Sequence, residues 1–94
     1  MNTQVIKEYY CETESVSSNK QVASDCSGIL FVNKGANVVR VNDLPLSQDE
    51  ALSYTPDDGV EIDRTKYIIR FEDSGGTDLL YIVRKKYEGL NYER

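Results

Sequence analysis

Four apolar residues in a row, Ile29-Leu30-Phe31-Val32, are followed by a polar break, Asn33-Lys34-Gly35-Ala36-Asn37, and then by alternation in which Val39 and Val41 flank Arg40. Alternation marks a strand with one covered and one wet face, so Val39 and Val41 are predicted inward and Arg40 outward. Gly35 permits positive φ and the flanking asparagines favour turns, which predicts a hairpin between residues 29–33 and 38–42. Residues 3–13 read as a strand with Val5, Lys7, Tyr9 and Cys11 on one side and Ile6, Glu8 and Tyr10 on the other. Residues 14–27 are rich in Ser, Asn and Asp and read as a long surface loop or arm, with a short strand at 20–23.

Further along, Pro45 removes a ladder donor and restricts residues 43–48 to a turn or an edge. Ser47 and Glu50 match a capping box for one helical turn, whereas Leu52 and Tyr54 alternate as in a strand, and the strand is the preferred reading of residues 50–55. Pro56-Asp57-Asp58-Gly59 is a tight-turn signature. Residues 66–72 and 79–87, joined by Asp-Ser-Gly-Gly-Thr-Asp, are predicted to form a second hairpin, and residues 88–94 a polar tail. No stretch sustains a 3.6-residue apolar repeat. The expected architecture is all-β: one domain over residues 1–94, a single small antiparallel β-sandwich, Ig-like or jelly-roll-like, of about six or seven strands.

Three of these segments are apolar on both faces: residues 29–32, 67–69 and 79–83. In an ordinary antiparallel sandwich one strand face meets the core and the other meets water. A chain without helices has two covers to offer the second face, its own N-terminal strand and arm or another polypeptide. The second choice makes Leu30, Val32, Ile68, Leu80, Tyr81, Ile82 and Tyr87 candidate interface residues, because contiguous apolar patches of several hundred Å2 are seldom left bare on monomers.

Composition narrows the chemistry. Ninety-four residues bearing 16 acids and 11 bases give a net charge of −5, without a basic block, which argues against nucleic-acid or membrane partners. No apolar run approaches a bilayer span, and the start MNTQVIKEYY has neither a basic n-region nor an apolar h-region, so a cytosolic origin is expected. Cys11 and Cys26 are expected to be free thiols. The chain has no histidine, which removes the commonest general base and the commonest zinc ligand.

The remaining clusters have bland explanations. Asp57, Asp58, Glu61 and Asp63 lack the spacing of a calcium loop and read as a solvated turn, and Asp73 with Asp78 brackets a loop that needs such residues anyway. Seven tyrosines suit contact surfaces or a carbohydrate platform, but also half-buried strand positions. Arg84, Lys85 and Lys86 are expected to guard an edge strand. The chain is therefore read as non-enzymatic and without a cofactor.

The order of signatures from Ile29 to Tyr87 is Asn33-x-Gly35, Val39-x-Val41-Asn42, Pro45-Leu46, Leu52-x-Tyr54, Pro56-Asp-Asp-Gly59, then the DRTxYxIxF pattern over residues 63–71, and a closing LLYIVRKKY. This run, roughly two thirds of the chain, resembles small β-sandwich proteins in the virions of tailed phages. Such domains often carry Asn-Gly and a Pro-Gly-Glu turn where this chain has Asn42-Asp43 and Gln48-Asp49-Glu50. The resemblance implies a capsid, head-accessory or tail component, made in the host cytoplasm and located in the virion, whose partners are itself or other virion proteins. The alternative is a small carbohydrate- or calcium-binding module.

Overall fold

The described residues form eight strands divided between two layers. A computed structural model describes residues 4–55 and 62–93, with side chains described for 8–55 and 62–86; the turn expected at 56–59 lies outside this range. The strands are β1 (Gln4–Val16), β2 (Lys20–Ala23), β3 (Gly28–Asn33), β4 (Val39–Val41), β5 (Leu44–Leu46), β6 (Ala51–Tyr54), β7 (Lys66–Phe71) and β8 (Leu80–Glu93). They form two antiparallel four-stranded sheets, A with order β1-β8-β3-β6 and B with order β2-β7-β4-β5. The chain is all-β over the described residues, which contain no helix of any length to span a membrane.

The core lies between the sheets. Phe31, Leu80 and Ile82 from sheet A face Val39, Val41 and Ile69 from sheet B, all essentially sealed from solvent. Phe31 meets Tyr67 edge to face at a centroid distance of 4.9 Å. Val39 and Val41 point inward and Arg40 outward, as the alternation requires. Leu80 and Ile82, candidates for a partner surface on sequence grounds, belong instead to this core, because β8 presents its even-numbered residues to the interior.

Both predicted hairpins are replaced by crossings between sheets. β3 and β4 do not pair; β3 pairs with β8 and β4 with β7. The segments 34–38 and 72–79 thus cross between the layers side by side. Asn33 explains the first crossing, since its buried side chain donates to the Asn37 and Leu46 carbonyls at 2.9 Å each and accepts from Gly35 N at 3.0 Å. Asn37 secures the second. Its Oδ1 accepts from Gly76 N and the Ser74 hydroxyl, while its Nδ2 donates to Gly76 O and Asp78 Oδ1. Gly35 does not need positive φ; it is glycine because an added Cβ would collide with the Thr77 carbonyl and lie 2.7 Å from Leu79 N.

Adjacent strands pair directly only at β4 and β5, where Asn42 (φ 47°) and Asp43 (φ 68°) are both left-handed, as a two-residue type I′ turn demands. β5 is an edge strand, consistent with Pro45. Glu50 does close a reciprocal turn with Ser47, its Oε1 accepting from Ser47 N at 2.6 Å, and β6 then begins. The strand reading of that segment is realised, whereas the helical turn is not: Asp49 is left-handed (φ 68°), so the Ser47–Glu50 contact closes a tight turn.

Of residues 14–27, expected as a loop or arm, the first three continue β1 to Val16, and the short strand expected at 20–23 is β2. The polar residues expected as a tail extend β8 to Glu93. β8 pairs with β3 only as far as Lys85↔Gly28, so from Tyr10↔Lys86 outward β1 and β8 pair with each other alone. This two-stranded extension accords with overall dimensions of 63 × 18 × 18 Å.

Candidate functional site

Register determines what the outside of sheet A displays. Ser15, Tyr81, Val32 and Ala51 stand in one row across β1, β8, β3 and β6; Thr13, Val83, Leu30 and Ser53 form the next; Cys11, Lys85 and Gly28 form the third. Their inward neighbours are the core residues, so these side chains project from the far face. Lys85 is the single charged side chain in the three rows, in a chain of which 29% is charged. Its ammonium sits 4.5 Å from the centroid of the Tyr9 ring. Leu30, Val32 and Val83 are half-buried and Tyr81 is 38% exposed.

The face is not level. Tyr81, 38% exposed, lies at one end, while the other end holds a depression of about 260 Å3 lined mainly by apolar atoms, among them those of Cys11, Gly28, Leu30, Ser53, Val83 and Lys85. A Cβ at Gly28 would make only ordinary contacts, at 3.8 Å or more, so glycine there leaves real space.

The opposite face, on sheet B, is different in kind. Arg70, Arg40 and Pro45 align across β7, β4 and β5, and Arg40 is neutralised by Glu72 at 2.8 Å. Ile68, 47% exposed, stands among these and next to Gln21. Leu30 and Ile68 therefore occupy opposite sides of the molecule and form no common patch, a correction that follows from β3 and β7 lying in different sheets. Among the sequence-predicted interface residues, Leu30, Val32 and Tyr81 are brought together, Ile68 is isolated, Leu80 and Ile82 are internal, and the Tyr87 side chain lies outside the described residues.

The basic cluster Arg84, Lys85 and Lys86, within β8, is divided by strand parity. Arg84 points inward and is 6% exposed, donating to Ala23 O through Nε and Nη2 and to Glu14 Oε1 at 2.8 Å; Lys86 pairs with Glu12 at 3.4 Å. Arg84 and Lys85 guard no edge, because β8 is flanked there by β1 and β3, whereas Lys86 falls where β8 has lost β3 and pairs with β1 alone. Burial works against the charge of Glu14, yet hydrogen bonds from Arg84 and Lys20 hold its carboxyl below the usual range. These residues line a polar groove of about 360 Å3 between β1 and β2, in which the buried guanidinium is already fully engaged.

Asp63 also has a structural task. It accepts from Thr65 N at 2.8 Å and from the Tyr67 hydroxyl at 2.9 Å, while its own N–H donates to Cys26 O. Burial opposes ionisation here too, but those donors keep its carboxyl lower than usual. Tyr67 is pushed up to about 12, first by burial and then by its bond to the Asp63 carboxylate. Asp57, Asp58 and Glu61 lie outside the described residues; among those described, no three acidic or cysteine side chains converge as metal ligands. Asp78 is committed to Asn37. The described tyrosines are divided as well: Tyr9 and Tyr81 occur on strands facing outward from sheet A, and Tyr54 stacks on the buried Tyr67. Both thiols are free, Cys11 exposed and Cys26 buried.

Parity is what sequence reasoning missed: it supplied the apolar runs but not the near-absence of charge from three successive rows of the sheet A face. No protein-family model matches the chain, and a search of curated proteins gives no match.

Proposed function

We propose that this chain is a non-enzymatic structural protein that works by docking into a larger assembly, and that the assembly is the virion of a tailed phage. The observation that carries the reading is the outer face of sheet A, where Leu30, Val32, Tyr81 and Val83 lie contiguous and Lys85 is the one charge. A wet sheet face normally carries polar and charged side chains, as the sheet B face does with Arg40 and Arg70. A face with a single charge is instead close to the composition of an interface core, which is depleted of charged residues. The signature run from Ile29 to Tyr87 supports the narrower assignment to a phage particle, whose parts include capsid, head-accessory and tail proteins. A small carbohydrate- or calcium-binding module draws less support, since the tyrosines are dispersed over several surfaces and Asp63 and Asp78 already hold internal partners.

Mass spectrometry of purified particles tests the reading. The wild-type protein is expected in them, and Leu30→Asp is expected to be depleted from them while remaining folded in isolation. Absence of the wild-type protein from particles refutes the virion assignment.

A further inference from the structure

We infer that the occupant of the sheet A face is a second copy of this chain, packed face to face about a two-fold axis that crosses the strands at the row Thr13, Val83, Leu30, Ser53. This rests on the assembly reading above and names its partner.

Charge is the first argument. The chain carries −5 overall, so most ways of bringing two copies together oppose like charges. This face avoids the problem, because no carboxylate stands in its three rows; Glu12 and Glu14, on the same strand as Cys11 and Thr13, turn inward toward Arg84. Shape is the second. Rotation about that axis reverses the strand direction and lays the Tyr81 and Val32 row of each copy on the Lys85 and Gly28 row of the other. Val32 then comes over the partner's Gly28, where the 260 Å3 depression leaves room for it. Tyr81 comes over the partner's Lys85, offering a second aromatic ring to an ammonium that already lies on Tyr9. Leu30 and Val83, nearest the axis, meet their own counterparts. One contact satisfies both copies, which is the defining property of an isologous interface.

Size sets the strength. Outward residues recur every ~6.8 Å along a strand and strands lie ~4.8 Å apart, so three rows on four strands cover roughly 400 Å2 per copy. Stable dimers bury about 800 Å2 per partner. The isolated chain should therefore dimerise weakly, at about 0.1 to 1 mM, and the contact gains strength where neighbours hold the chains in place.

Sedimentation velocity of the purified chain from about 10 μM to 1 mM is the test, with Cys11 alkylation as a second readout. The weight-average mass should rise toward the dimer, and alkylation of Cys11, at the rim of the face, should slow over the same range while buried Cys26 stays unreactive. Leu30→Asp and Gly28→Val should remain monomeric with unchanged circular dichroism and cooperative melting; Gly28→Val fills the hollow without adding charge. Ile68→Asp, on the other face, should associate like wild type. A wild-type chain that is monomeric at 1 mM overturns the inference, as does an Ile68→Asp variant that loses association equally. If the monomeric chain is nonetheless present in particles and lost from them with Leu30→Asp, the second-copy assignment fails while the assembly reading stands.

Discussion

Replacing Gly35 by alanine probes the paired crossings on which the two-sheet topology depends. The new Cβ would overlap the Thr77 carbonyl and lie 2.7 Å from Leu79 N, and both are backbone atoms that no rotamer change can move aside. Separating the two segments strains three hydrogen bonds: Lys34 N to Leu79 O at 2.9 Å, Gly35 N to Leu79 O at 3.0 Å and Asn37 N to Thr77 O at 3.1 Å. At about 1 kcal/mol net each, their loss costs about 3 kcal/mol. A domain of this size is stable by roughly 5 to 14 kcal/mol, so the variant is expected to fold but to melt early. With a urea dependence of about 1.5 kcal/mol per M, the denaturation midpoint should fall by about 2 M. Gly75→Ala is the control. Gly75 has φ 82° and nothing within 4 Å of its added Cβ, so only the left-handed conformation is penalised, at about 1 kcal/mol. A Gly35→Ala midpoint within experimental error of wild type, or a larger loss for Gly75→Ala, would refute the close-approach argument.

Asn33→Leu keeps the branched shape but removes three hydrogen bonds, those to the Asn37 and Leu46 carbonyls and that from Gly35 N, which keeps Leu79 O; a loss of about 3 kcal/mol in equilibrium denaturation is expected, and a neutral result would show that the apolar replacement suffices. Glu14 and Asp63, both held below their ordinary values of 4.5 and 3.8, stabilise the fold while ionised, so melting temperature should be level above about pH 5 and fall as pH drops below about 4. Glu14→Gln should flatten part of that decline; an unchanged acid limb counts against its coupling to Arg84. Tyr67, raised to about 12, favours the folded state below pH 10 and ceases to do so as pH climbs from 10 to 12. Absorbance titration should show one tyrosine ionising late, and Tyr67→Phe should abolish it.

Strand existence was legible because apolar runs and turn residues are local signals, and seven of the eight strands fall on segments singled out in that way; β5 emerged from a segment read as a turn or an edge. Strand pairing was not legible at residues 33–37 or 73–78. Asn, Gly and Asp serve a hairpin turn and a crossing equally well, and the outcome depends on whether Asn33 and Asn37 point into the protein, which distant Leu46, Gly76 and Asp78 decide. Gly35 was noticed for the wrong reason: neighbouring backbone, invisible locally, excludes a side chain there. The candidate surface was half legible. Doubly apolar runs announced a second covered face, but separating Leu30 from Ile68 required knowing that β3 and β7 lie in opposite layers. Arg84 shows the same limit, since a cation among lysines gives no local sign of being buried against Ala23 O.

β1, the first strand, finds its partner only in β8, the last, over thirteen paired positions from Gln4↔Glu93 to Val16↔Leu80. During synthesis the N-terminal strand must therefore wait, with both backbone edges unsatisfied, until nearly the whole of this sequence has emerged. Closing so long a loop is entropically slow, and a long idle strand is prone to pair with a neighbouring chain. Refolding yield should accordingly decline with protein concentration, making the order in which strands become available a determinant of how crowded a production site this protein tolerates.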